Sequence, residues 1–291
     1  MAIKKPKAPK GKNPQEKHKF IDRKLKKKDK KVKRSKNANF IPLGDNPLIA
    51  EKKKKEKEKK EKEKGSESLT LVSTAPAAQQ LRFFLHHFQS ANGFKLSPLE
   101  LEAFKDTCMV ELSQSMDQDV ENFGEHMKAP FEASWKDVLC EGKLLEGKVD
   151  AGCPAIIVIS TSALRSLELL RGLKSLTREC RPAKLFAKHM KVEEQVALLK
   201  GRVNIACGTP SRIKKLIDMD ALLLSRVQVI VLDMQRNAKG FSLFTLPQVS
   251  TEFWDLYKSH FNERLLQGHT KICFYGHVSS AEMSKICGSD E

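Results

Sequence analysis

Paired-cysteine motifs are missing from this 291-residue chain. Its seven cysteines, Cys108, Cys140, Cys153, Cys180, Cys207, Cys273 and Cys287, are odd in number, widely spaced and never in a C-x-x-C pair. That pattern argues against a zinc ribbon and a secreted disulfide framework. It predicts buried free thiols in a reducing compartment. Long apolar runs are missing too: Val227–Leu232 is typical, far short of the roughly 20 residues a membrane helix needs. The opening Met-Ala-Ile-Lys-Lys-Pro-Lys has no apolar core of a secretory signal. A soluble, intracellular protein without a membrane partner is expected. Composition also excludes collagen and coiled-coil classes.

Acidic residues are scarce in one part of the chain. Residues 1–64 hold 26 Lys/Arg against 9 Asp/Glu, whereas residues 65–291 hold 27 of each. The entire net charge of +17 therefore sits in the N-terminal tail. Such asymmetry is the electrostatic signature of a polyanion partner. With few apolar residues the tail cannot offset its chain entropy, so residues 1–68 are expected to be disordered alone. Its densest block holds Lys24, Lys26, Lys27, Lys28, Lys30, Lys31, Lys33 and Arg34. One reading is a solubilising tail. The sharper one is a nuclear-import and nucleic-acid-contacting arm, binding phosphates without regard to sequence and strongly dependent on salt.

The neutral body can bury most of its chain surface. Over residues 69–150 the pattern is helical. Leu81, Phe84, Leu85 and Phe88 share one helix face, and Ser97-Pro98-Leu99-Glu100 is a capping box opening a helix with Leu101, Phe104, Cys108 and Leu112 on one stripe. A third helix is expected near Ser134–Cys140. His86 and His87, adjacent on a helix, point about 100° apart and cannot chelate one metal. From 151 to 291 apolar runs alternate with amphipathic helices. Strands are expected at Ala155–Ile159, Lys184–Phe186, Val203–Cys207, Val227–Leu232 and Lys271–Tyr275. Helices are expected at Ser162–Leu173, Val192–Lys200, Ser211–Ile217 and Thr251–Leu266. Apolar strands separated by helices predict a doubly wound, mostly parallel α/β sheet, whose ligand sites lie in loops at the carboxyl ends of strands. Three such loops stand out: Ser160–Arg165, Gly208–Arg212 and Asp233–Arg236. Each also has an ordinary structural account, as helix caps or a turn.

These loops carry a resemblance. Val203–Ile213, with Gly208-Thr209-Pro210-Ser211-Arg212, resembles the T-P-G-R motif of DEAD-box RNA helicases. Ser225–Arg236 followed by Gly240-Phe241 resembles their D-E-A-D strand and loop, Ser160–Arg165 their P-T-R-E-L motif, and Tyr275-Gly276-His277 stands where S-A-T would be. A closer resemblance is to the Cms-type family of ribosomal small-subunit protein homologues. Lys184–Val192, Gln195-Val196, Leu198-Leu199, Gly208-Thr209-Pro210 and Ser162–Arg171 carry it. The resemblance implies a RecA-like, P-loop-NTPase-like domain and a nucleolar role in pre-ribosomal particles.

The departures bear on chemistry. A working P-loop needs G-x-x-x-x-G-K-[ST]. The pairs Gly142-Lys143 and Gly147-Lys148 are followed by Leu and Val. Asp233 of the D-E-A-D box is kept, but the next acid is Met234. A non-enzymatic factor without cofactor or metal is therefore expected. It would bind pre-rRNA, pre-ribosomal proteins and an import receptor in the nucleus and nucleolus. The resemblance implies RNA contacts at Thr161, Arg165, Thr209 and Arg212; Lys188 and His189, which follow the strand Lys184–Phe186, are expected to join that surface. The alternatives are an ATP-dependent helicase-like enzyme with a non-standard nucleotide site and a purely protein-binding scaffold.

Overall fold

Apolar runs flanked by helices build a central sheet in the computed structural model, which describes residues 69–141 and 149–288. The chain divides between Lys64 and Gly65. The tail, with the basic block Lys24–Arg34, and the Gly142-Lys143 and Gly147-Lys148 pairs lie outside the described residues.

Five strands, β2 (Ile156–Ile159), β3 (Ala183–Leu185), β4 (Ile205–Gly208), β5 (Val229–Asp233) and β6 (Lys271–Tyr275), lie in the order β3-β4-β2-β5-β6, all parallel. Each expected strand is present within two residues of its expected bounds. Helices α4 (Ala163–Gly172), α5 (Val192–Leu199), α6 (Pro210–Asp218) and α7 (Pro247–Leu256) separate them. This is the doubly wound α/β architecture. The motif-like loops fall where the RecA-like reading requires, at the carboxyl ends of neighbouring strands.

Two faces of one sheet make two cores, because strand side chains alternate. Ile157, Ile159, Ala206, Ile230, Leu232, Ile272 and Phe274 point to one side, and Ile156, Val158, Ile205, Cys207, Val229, Val231, Cys273 and Tyr275 to the other. On the first face α1 (Ala77–Asn92) places Phe83, Phe84 and Phe88 against Phe244, Trp254 and Tyr257. Each such ring contributes roughly 1.5–3 kcal/mol by burial. On the second face Leu169, Leu170, Leu139, Met127 and Phe123, which opens α3 (Phe123–His126), cover the strands. Among the described residues, the stretch 69–140 therefore has no core apart from the sheet's.

Three elements differ from expectation. The Ser97 capping box forms, with Ser97 Oγ accepting from Glu100 N at 3.3 Å, but the helix it opens, α2 (Pro98–Glu102), stops after five residues. Leu99 and Leu101 are 78% and 38% exposed, while Phe104 turns into the core. The chain then runs along the edge of β6, with Met109 beside Ile272 and Val110 N donating to Ile272 O at 2.8 Å. The last long helix is interrupted by a π-turn at Tyr257–Phe261 before α8 (Asn262–Leu266). Residues 136–140 likewise form a π-turn. Further elements had no counterpart in the sequence pattern. Strand β1 (Leu69–Leu71) pairs antiparallel with β7 (His277–Ser279), and β7 runs into α9 (Ser280–Cys287).

Candidate nucleic-acid interface

The strand ends are level. Ile159 pairs with Gly208, Gly208 with Leu185, and Leu232 with Ile159, so the loops after them share one edge. The strand order reverses at β2, between β4 and β5, which is where such sheets bind ligands.

Gly208 is required there. A Cβ would lie 1.9 Å from Leu185 O, and the same oxygen accepts from Thr209 N at 3.0 Å. Thr209 is the N-cap of α6 with extended backbone and no side-chain cap bond, and Pro210 follows at the first helical position. Arg212 Nη1 donates to Gln195 Oε1 at 2.6 Å and to Met190 O at 3.2 Å. Gln195, fully buried, donates in turn to Lys184 O at 2.7 Å and Phe186 O at 3.0 Å. One buried amide thus ties the loop after β3 to Arg212. Lys188 and His189 are exposed on that loop, His189 with a φ of 60° in the left-handed region. The structure therefore brings Thr209, Arg212, Lys188 and His189 onto one edge. Thr161 is half-buried in the adjoining loop, where Ser162 rather than Thr161 caps α4.

Arg165 behaves differently from expectation. Its Nε and Nη2 donate to Asp233 Oδ2 and Oδ1 at 3.0 and 2.9 Å, and Nη1 to Glu168 Oε2 at 3.2 Å. Asp233 is fully buried and the Arg165 side chain is 16% exposed. Burial works against the Arg165 charge, but hydrogen bonds and charge from Asp233 outweigh it and raise the pKa. Burial pushes the Asp233 carboxyl up, with Arg165 pulling toward the charged form. The crevice at the switch point is thus closed by a two-pronged ion pair that turns the Arg165 guanidinium inward. Met234 beside it is buried in the core, with its N–H donating to Tyr275 O at 2.7 Å.

The far side of the crevice is filled by the protein itself. Tyr275 donates its hydroxyl to Asp119 O at 2.6 Å. Gly276, at φ 100°, donates to Gln118 Oε1 at 2.9 Å, and Gln118 Nε2 reaches Ser73 Oγ. The loop after the edge segment Met109–Leu112 reads Ser-Gln-Ser-Met-Asp-Gln-Asp. It has no glycine to cradle a phosphate and no lysine to bind one. Gln118 escaped sequence reasoning, and Gln195 entered it only as part of the family-like run, because nothing marks a glutamine as buried before the fold is known. Among the described residues no three His, Cys, Asp or Glu side chains cluster to hold a metal, no cysteine is paired, and no helix is long and apolar enough to cross a membrane.

A family model described as CMS1, U3-containing 90S pre-ribosomal complex subunit, matches residues 13–275. The chain belongs to the CMS1 family. Protein CMSS1 of Xenopus laevis, a relative, is 32% identical over 197 residues, covering 66% of this chain and 65% of the relative. Human CMSS1 is 38% identical over 103 residues, 35% and 37% of the two chains. CMS1 of Chaetomium thermophilum is 42% identical over 93 residues, 31% and 37%. The matches thus span about two thirds of the frog relative and little more than a third of the others. Overlap with solved DEAD-box structures is low. A Methanococcus jannaschii DEAD box protein gives a TM-score of 0.32 at 15% identity over 68% of this chain and 52% of its own. The fold of this CMS1-family chain rests on its own strand order and register.

Proposed function

We propose that this CMS1-family chain is a non-enzymatic RNA- and protein-binding factor of small-subunit ribosome assembly, working in the nucleolus within pre-ribosomal particles. The observation that carries this reading is the Arg165–Asp233 pair. A carboxylate that the helicase resemblance would assign to magnesium and water is spent on an internal guanidinium, with Met234 beside it. The same carboxyl-end edge, beside that pair, keeps groups suited to a sugar-phosphate chain. The N-terminus of α6 offers backbone N–H groups, the Thr209 hydroxyl has no capping bond, and Arg212 Nε and Nη2 have no partner among the described residues. Lys188, His189 and Thr161 extend this edge. The basic block Lys24–Arg34 supplies diffuse, salt-dependent affinity and binds a nuclear import receptor.

The test is a titration of the full chain with RNA at matched salt, comparing wild type with Thr209→Ala/Arg212→Ala. The tail's contribution appears in both and cancels. Weaker binding by the double variant supports the reading. Unchanged affinity removes this edge from RNA contact and favours a protein-binding scaffold.

A further inference from the structure

The amino ends of the strands, opposite the loops above, carry a second concentration of positive charge. Arg202 leads into β4, Arg226 into β5, and Arg264 and His269 precede β6. Arg226 donates from Nη1 to Cys153 O and Asn204 Oδ1, both at 3.2 Å, and from Nη2 to Val138 O at 2.6 Å. Arg202 Nε reaches the same Asn204 Oδ1 at 3.3 Å, so one amide oxygen holds two guanidiniums side by side. Arg264 donates only to Thr270 Oγ1 and Val227 O. Among the described residues none of the three has a carboxylate in ion-pair range. Nη1 and Nη2 of Arg202 are buried with no acceptor among the described residues. Burial lowers the pKa of Arg226, and the neighbouring Arg202 charge lowers it further; burial does the same to Arg264. Like charges drawn out of water without a counterion are costly, and an anion removes that cost. Beside them opens a cavity of about 670 Å³ lined by Asp150, Ser225, Arg226, Gln228, Arg264 and His269. Among the described residues Asp150 is the one carboxylate in that lining.

We propose that this cavity binds a phosphate group of an RNA backbone. A carboxylate is satisfied by one guanidinium fork. Two arginines and an imidazole around one space, with a third arginine behind, suit a group with oxygens on several sides and more charge. Arg226 and Arg264 touch the phosphate; Arg202, behind Asn204, raises the local potential. The cavity is open and far larger than one phosphate, as an extended chain requires. The choice of RNA rests on the proposed function, whereas the anion site does not. The test reads this site apart from Thr209 and Arg212, so either proposal can fail alone.

Thermal unfolding of the full chain is followed in chloride and in inorganic pyrophosphate at matched ionic strength. Pyrophosphate is expected to raise the midpoint of the wild type, by mass action on the folded state. The rise is expected to vanish in Arg264→Gln, shrink in Arg202→Gln and return in Arg202→Lys. In chloride, Arg202→Gln is expected to be at least as stable as the wild type, because it removes an uncompensated charge. Photocrosslinking to an RNA oligomer then maps to Ser225–Gln228 or Arg264–His269. It is lost there in Arg264→Gln while crosslinks to Lys24–Arg34 persist. An equal pyrophosphate response in wild type and both glutamine variants overturns the site. A pyrophosphate response without RNA crosslinks, or better protection by an acidic peptide than by RNA, overturns the choice of RNA.

Discussion

Replacing Arg165 by alanine isolates the ion pair that closes the crevice. Asp233 sits fully buried with two oxygens held by one guanidinium at 2.9–3.2 Å. Removing the partner leaves a buried carboxylate with little besides a backbone donor from Gln235. Breaking such a pair costs about 3–5 kcal/mol, whereas an exposed pair is worth about 0–1. For a unit of this size that is about 6–20 °C in Tm. Urea and thermal unfolding of the wild type, Arg165→Ala, Asp233→Ala and the double variant give the coupling. The double variant Arg165→Met/Asp233→Leu, which fills the space with apolar atoms, is predicted to lie close to the wild type. A loss below about 1 kcal/mol in Arg165→Ala, the value for a surface pair, refutes the assignment of a structural role.

Other predictions concern the supports of the two edges. Gly208→Ala forces a methyl to within 1.9 Å of Leu185 O; it is predicted to abolish soluble folded protein, checked by expression and circular dichroism. Gln195→Leu leaves Lys184 O and Phe186 O without that donor and Arg212 without its acceptor. At about 1–3 kcal/mol for each buried group left unsatisfied, it is predicted to lower both urea stability and RNA affinity. Glu282 is held below the usual carboxylate range, first by its hydrogen bond to His87 and then, against burial, by that histidine's charge and by Arg236. A depressed carboxylate stabilises the fold above its unfolded pKa, about 4.3, and loses this as pH falls through the lower folded value. The stability gap between wild type and Glu282→Gln is therefore predicted to close as pH falls below about 4.3; a gap unchanged from pH 5 down to pH 3 contradicts it.

The sheet was legible because each strand is a continuous apolar run: Ile156–Ile159 and Val229–Leu232 are buried on both faces, and only a parallel, doubly covered sheet permits that. Thr209-Pro210 and Ser162 likewise announced their helices through capping chemistry. The edge segment was not legible, since Met109–Leu112 contains a charged residue, Glu111, and joins β6 through one bridge. The helix expected to continue from Pro98 ends early because Phe104 reaches the core only if the chain turns. Of the candidate site, Thr209 and Arg212 were visible as a motif. The fate of Arg165 was not, because its partner Asp233 lies 68 positions away and only the β2–β5 pairing brings them together. The arginines at the amino ends were silent for the same reason: nothing in their spacing reveals that Asn204 joins Arg202 to Arg226.

The central claim is that the helicase-like crevice has become structural. Nucleotide binding and RNA-stimulated ATP hydrolysis by the purified full chain test it most directly. No turnover above buffer is expected with or without RNA, and no change on Asp233→Asn. Hydrolysis that RNA stimulates and Asp233→Asn abolishes contradicts it.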